Sequence, residues 1–145
     1  VVPAYKFTSS GLIGDDELDT IFSCEYTKDS DVGTYVITPT DCTFTSGVKN
    51  NYNIEYVNGT LSVYGSSYNK ASKTVKIYSN HDTDVDCYVV SYAENGTLDG
   101  IKKEHCSLKA DKISTIDISS LKISENDSIK IFLWDNNLTP VEITN

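Results

Sequence analysis

Apolar and polar residues alternate along most of this chain with a period of two, the pattern of half-buried β-strands. The clearest stretch is 52–63, YNIEYVNGTLSV, where Asn58-Gly59 separates two alternating runs as a type I′ hairpin turn requires. Around that turn Tyr56 would face Leu61 and Ile54 would face Val63, placing all four on one core face. Residues 32–39 predict another strand, with Tyr35 and Ile37 on one side, and 5–8 a short one. Helical spacing occurs once, over 15–22, where Leu18, Ile21 and Phe22 share a side and Asp15 and Asp16 suit the N-terminal cap and dipole. A helix that short holds only when packed on a sheet.

The stretch 65–72, GSSYNKAS, is small and polar and reads as a linker. A fresh series of strands follows: 73–79 with Val75 and Ile77 inward, then 86–93 and 98–108 flanking a turn at Asn95-Gly96. After these come 113–118, the apolar run 128–134, and a closing strand over 141–144. Short strands with turns every 8–12 residues predict a β-sandwich of immunoglobulin or fibronectin type. The expected architecture is therefore mainly β. It comprises a β-sheet module with one short helix at 1–64, the linker at 65–72 and a sandwich module at 73–145.

Composition sharpens this picture. Ten Tyr among 145 residues, with abundant Thr, Val and Ile, is strand composition. Lysines total 12 against 21 Asp and Glu, a formal charge of −9, which excludes nucleic acid and anionic membrane as natural partners. No apolar run approaches the roughly 20 residues needed to cross a bilayer. The chain has no Met and opens inside a strand-like run, as expected for a piece of a longer protein whose targeting segment lies upstream.

Four cysteines, Cys24, Cys42, Cys87 and Cys106, in a chain of short strands predict disulfides and an oxidising compartment. Three pairings are open. The simplest puts one bridge in each module, Cys24 with Cys42 and Cys87 with Cys106. A strict two-residue loop at Asn95-Gly96 would set Cys106 opposite Val85 instead, so the second bridge needs a four-residue loop or a bulge. Each bridge would contribute roughly 3 kcal/mol by loop closure, significant for modules with small cores.

The residues of 5–15, YKFTSSGLIGD, then VGTYVI at 32–37 and NYNIEYVNGTLSV at 51–63, occur in that order. They resemble the signatures of the MBG family of bacterial surface repeats, over about residues 4–64. The resemblance implies a stalk or adhesin module without catalytic residues. Against the family pattern this copy lacks a first strand, which implies an open sheet edge, and it adds Cys24 and Cys42. The second half, in VVSYAENGTL at 89–98 and IKIFLWD at 129–135, more loosely resembles a sandwich module of clostridial and ruminococcal secreted proteins. That resemblance implies a Firmicute surface protein.

Chemistry-bearing residues are sparse. His81 and His105 are the two histidines, and both read as surface side chains. Asp82, Asp84 and Asp86 fall on one face of an extended chain, a weak calcium candidate, but Cys87 and Ala93 stand where an EF-hand needs Gly and Glu. Asn58, Asn95, Asn126 and Asn137 each begin an N-x-[ST] sequon, and the first two are explained as turn residues. Trp134 ends a buried-looking strand and reads as core, with sugar stacking the alternative. Tyr64 and Tyr68 flank the linker and are the other ligand-binding candidates.

The expected function is a non-catalytic stalk or adhesion segment, secreted or attached to the cell surface, with no metal or cofactor. A carbohydrate-binding module accessory to a glycan-degrading enzyme or scaffold is the alternative. Expected partners are a protein, a neutral glycan or other domains of the same polypeptide. An exposed row of aromatics would favour the glycan reading.

Overall fold

The computed structural model describes residues 3–143. Its contacts fall into two units. One runs to Ser30 and resumes over Thr34–Ser62; the other takes Asp31–Gly33 and the chain from Val63 onward. Among the described residues the fold is mainly β, in three antiparallel sheets of three strands each.

The first unit is built on one sheet of order β1-β2-β3, from β1 (Glu17–Cys24), β2 (Gly33–Ser46) and β3 (Gly59–Val63). The expected helix over 15–22 is β1 instead. Leu18, Thr20, Phe22 and Cys24 turn inward, whereas Ile21, which the helical reading put inside, is 60 % exposed. A ladder against β2 pairs β1 along its whole length of eight residues, whereas an isolated two-turn helix is not stable on its own. The expected hairpin also fails. Only Gly59–Val63 is strand, and it pairs with β2 rather than with 52–57, which lies outside every ladder. Residues 5–8 are likewise not a strand.

In place of a second sheet, 5–12 and 52–57 lie over β1 and β2 by side-chain contact. Tyr5 and Phe7 set their rings 6.1 and 6.2 Å from Phe22, and Tyr52 stacks on Phe44 at 5.0 Å. Between them remains a cavity of about 570 Å³. Cys42 is the one buried hydrophobic residue of this unit among those described.

The second unit has two sheets, of order β4-β5-β8 and β7-β6-β9. The first is made of β4 (Gly65–Asn69), β5 (Thr74–Tyr78) and β8 (Ile113–Asp117). The second is made of β6 (Thr83–Tyr92), β7 (Leu98–Leu108) and β9 (Ser128–Trp134). Both send side chains into one core, with Val75, Ile77, Val85, Cys87 and Val89 at 0–1 % exposed, joined by Leu108, Ile116 and Ile118. Fully burying such side chains stabilises by roughly 1.5–3 kcal/mol each. The expected linker over 65–72 is largely β4, so its Ser and Asn residues are strand positions. Val141 donates its N–H to Leu133 O and Ile143 accepts from Asn80 N–H, but 141–143 form no strand, and Thr144 of the expected closing strand lies outside the described residues.

The four cysteines are free thiols, which corrects the expected bridges. On the first sheet Cys24 faces Ile37 and Cys42 faces Thr20. Four residues of β1 separate the two positions, about 13 Å at 3.3 Å per residue and far beyond bridging distance. In the second unit the loop holds three residues, with Ala93 N–H bonded to Thr97 O and Gly96 in the left-handed region at φ 82°. A bulge at Asp99, where Ser91 faces Gly100 but Tyr92 faces Leu98, then restores the register of a two-residue turn. Cys87 therefore faces Glu104 and Cys106 faces Val85. The two thiols are diagonal neighbours on the core face, about 7–8 Å apart at Cα by sheet geometry, outside the favoured disulfide range.

Candidate functional site

Strand β9 reads Ser-Ile-Lys-Ile-Phe-Leu-Trp, and the pleat divides it cleanly. Ile129, Ile131 and Leu133 pack against the core. Lys130, Phe132 and Trp134 take the opposite face, so Trp134 is not a core residue, contrary to the sequence expectation. On the central strand β6, Trp134 faces Asp86, Phe132 faces Tyr88 and Lys130 faces Val90. On the far side β7 sets His105 beside Asp86 and Lys103 beside Tyr88. The outer face of this sheet thus carries Trp134-Asp86-His105 in one row and Phe132-Tyr88-Lys103 in the next.

The aromatic rings touch. Tyr88 lies 5.1 Å from Trp134 with planes 48° apart, and Phe132 lies 5.6 Å from Trp134 at 41°. Lys103 places its ammonium 5.4 Å from the Tyr88 ring centre, and Lys130 does the same over Tyr92. Asp86 is 8 % exposed although it points outward, because Lys103 Nζ at 2.7 Å and His105 Nδ1 at 3.1 Å close over it. The Lys103 bond, then the His105 bond, hold the Asp86 carboxyl below its ordinary range, and Asp86 in turn raises Lys103.

Trp134 also borders an open groove of about 540 Å³ shared with Tyr64, Phe132, Pro140 and Glu142. The turn after β9 shapes its rim. Asp135 accepts the N–H groups of Asn137 and Thr139 at 2.8 Å each, and this returns Pro140 to a bridge with Trp134. Tyr64 is fixed on the other rim. It stacks on Tyr78 at 4.8 Å with planes 7° apart and donates its hydroxyl to Asp111 at 2.7 Å.

Of the sequence-named ligand residues, the fold brings Tyr64 and Trp134 to one groove. Tyr68 is elsewhere, packed against the core with its hydroxyl enclosed and unpaired. The acidic triplet is dispersed among separate partners. Asp82 accepts from Lys109 Nζ and Ala110 N–H, Asp84 from Ser107 Oγ, and Asp86 from Lys103. Among the described residues no group of three His, Cys, Asp or Glu is placed to hold a metal ion. Burial pushes the Cys87 thiol up to about 12, with Cys106 and Glu104 adding to the effect, and burial also raises Cys106. Neither is a ready nucleophile at neutral pH.

Sequence reasoning missed Tyr88, Phe132 and Lys103, and read His105 as a surface side chain without its partner Asp86. The signal was present in β9 itself: Lys130 cannot face a core, and period two then places Phe132 and Trp134 on its side of the strand.

Residues 1–62 match the family model described as MBG domain (YGX type), which supports the MBG-type repeat in that part of the chain. No curated protein and no solved structure matches the chain.

Proposed function

We propose that the chain is a non-catalytic stalk or adhesion segment of a bacterial cell-surface or secreted multidomain protein. The match of residues 1–62 to the MBG domain carries this reading, because MBG repeats are typical of surface-associated proteins. The pairing of Asp82, Asp84 and Asp86 with separate cations and hydroxyls supports a non-catalytic role, since it leaves no two of these carboxylates free to work together.

One observation favours a second reading, in which the second unit is a sandwich module that binds carbohydrate. Trp134, Phe132 and Tyr88 form a connected aromatic surface outside the core, and Trp134 and Tyr64 border one groove. Apolar sugar faces stack on such rings, while Glu142 and Ser66 on the groove offer acceptors and a donor for sugar hydroxyls.

A glycan array beside a mucin pull-down tests the pair of readings. The wild-type chain is expected to retain a glycan, and Trp134→Ala to lose at least tenfold in affinity with an unchanged circular dichroism spectrum. Equal retention by the variant would remove the aromatic site. No retention of any glycan or of mucin by the wild type would leave the stalk role alone.

A further inference from the structure

We infer that the outer face of the β4-β5-β8 sheet is a docking site for an extended Asp-aliphatic-Gly segment, and that the chain's own Asp31-Val32-Gly33 occupies it as a latch. These three residues lie in the first half of the sequence, yet they belong to the second unit. Val75 and Ile77 of β5 point into the core, so the pleat turns Thr74, Lys76 and Tyr78 to the opposite face. Strand register extends that face to both neighbours. Gly65, Tyr78 and Ile113 form one row, Ser67, Lys76 and Thr115 the next, and Asn69, Thr74 and Asp117 the third. Tyr78 is 3 % exposed although it points away from the core, so this face is covered.

The tripeptide runs across those rows, and each of its residues meets a matching feature. Asp31 Oδ2 accepts from Lys76 Nζ at 2.8 Å and from Asn69 Nδ2 at 3.4 Å. The Lys76 bond above all holds the Asp31 carboxyl below its ordinary range, although burial works the other way. The Val32 N–H donates to Ser67 Oγ at 3.2 Å. Val32 itself is 7 % exposed and lies against Gly65, where a Cβ would come within 3.7 Å of Val32 Cγ1. Gly33 has φ 143°, and a Cβ there would stand 3.3 Å from Ile113 Cδ1. An L side chain in its place would be strained in its backbone and crowded by Ile113.

The occupant is therefore selected position by position. Lys76, Asn69 and Ser67 supply donors for a carboxylate and a hydroxyl acceptor for the next amide. The bare backbone at Gly65 admits a branched aliphatic side chain, and Ile113 demands glycine after it. The segment is held by few bonds, and its ion pair has side chains 33 % and 24 % exposed. A pair that open contributes modestly, which makes the segment releasable. Tethering keeps the site filled all the same, because a segment of the same chain is always present at high effective concentration.

The test uses the full chain and a capped synthetic peptide, SDVGTY, that copies residues 30–35. Amide resonance shifts at Ser67, Lys76 and Ile113 report the site. The variant Asp31→Ser with Val32→Ser opens the latch, and it is expected to bind the peptide at least tenfold more tightly than the wild type, whose site is filled. Adding Lys76→Glu should weaken that binding at least tenfold, and a peptide with lysine in place of its aspartate should restore it. A peptide with alanine in place of its glycine should bind at least tenfold more weakly. Equal binding by wild type and opened variant would overturn the inference. So would indifference to Lys76→Glu, or no binding to an opened variant that keeps the wild-type Trp134 emission. A second measurement needs neither peptide nor opened variant. Asp31→Asn, Lys76→Met and the pair are compared by unfolding of the second unit, read at Trp134. The pair should raise the unfolding constant at least threefold less than the product of the single effects, and a simple product would overturn the inference as well.

Discussion

The two units contain the same ingredients, alternating strands and aromatic residues, and they differ in what covers the sheet. In the second unit both layers are hydrogen-bonded sheets, and Val75, Ile77, Val85, Cys87 and Val89 are sealed between them. In the first, one sheet meets two segments outside any ladder, and of its hydrophobic residues only Cys42 is buried among those described. Alternation tells a strand which side chains face inward. It does not tell whether the opposing layer will ladder, and that decides whether an apolar face becomes a core or a cleft.

The identical tetrapeptides Asn58-Gly59-Thr60-Leu61 and Asn95-Gly96-Thr97-Leu98 make the point locally. The second closes a three-residue loop with Gly96 at φ 82°. The first makes no hairpin: Gly59 opens β3, lies against Ile37 and pairs into β2's sheet. The same local signal gives different structures because β6 and β7 are long enough to outweigh alternatives, while 52–57 has its side chains committed to β2.

The largest expected contrast is in core truncation. Ile77→Ala should cost about 3 kcal/mol, within the roughly 2–5 kcal/mol seen for fully buried aliphatic truncations. Leu18→Ala on the cavity floor should cost about 1 kcal/mol, because its side chain already borders open space. Denaturant unfolding read by circular dichroism and by the fluorescence of Trp134, which reports the second unit alone, separates the two. Equal costs would erase the distinction between core and cleft.

Thiol accessibility should follow the same division. Cys24 is half-buried in the first unit, whereas Cys87 is fully buried with its thiol pushed up to about 12. Cys24 should react with a disulfide reagent at pH 8 at least tenfold faster than Cys87 in the native chain. An intact mass showing two bridges would instead contradict the strand registers.

Glycine substitution sharpens the comparison of the two Asn-Gly sites. Gly96→Ala should cost about 1 kcal/mol, since an L-residue is strained in the left-handed region. Gly59→Ala should be nearly neutral, because its φ is not positive and an added Cβ meets Ile37 at an ordinary 3.6 Å. Thermal melts of the two variants measure this, and a larger effect at Gly59 would mean that a turn forms there after all.

The smallest effect concerns Asp86. Its folded carboxyl is held below the ordinary range, so its stabilising contribution is present above the unfolded value of about 3.9 and is lost as pH falls through the lower folded value. The gap in Tm between wild type and Asp86→Asn should therefore be open at pH 7 and nearly closed at pH 2. A gap that widens in acid would place the Lys103 and His105 bonds elsewhere.

The second unit was the more legible in sequence. The expected strands 98–108 and 128–134 are β7 and β9 to the residue, because long alternating runs between turns leave few alternatives. Misreadings fell where two periods overlap or where register decides. Leu18, Ile21 and Phe22 fit a helix as spacing, but Thr20, Phe22 and Cys24 fit the strand that exists. Cys87 and Cys106 lie on adjacent strands, yet the three-residue loop and the bulge at Asp99 together leave them two positions out of step. The aromatic face was hidden for a different reason. Apolar content suggested a buried strand, while Lys130 already marked the side on which Phe132 and Trp134 stand.

Native-state hydrogen exchange across the whole chain tests the central claim most directly. The account predicts that the amides of Val75, Ile77, Val85, Cys87 and Val89 open only with global unfolding of their unit. It predicts that those of Asn53, Ile54, Glu55, Tyr56 and Val57 exchange within about tenfold of unstructured rates, as local opening of unladdered backbone requires. Amides at 53–57 as slow as those of β6 would contradict it, because the first unit would then have a closed second layer and no cleft to fill.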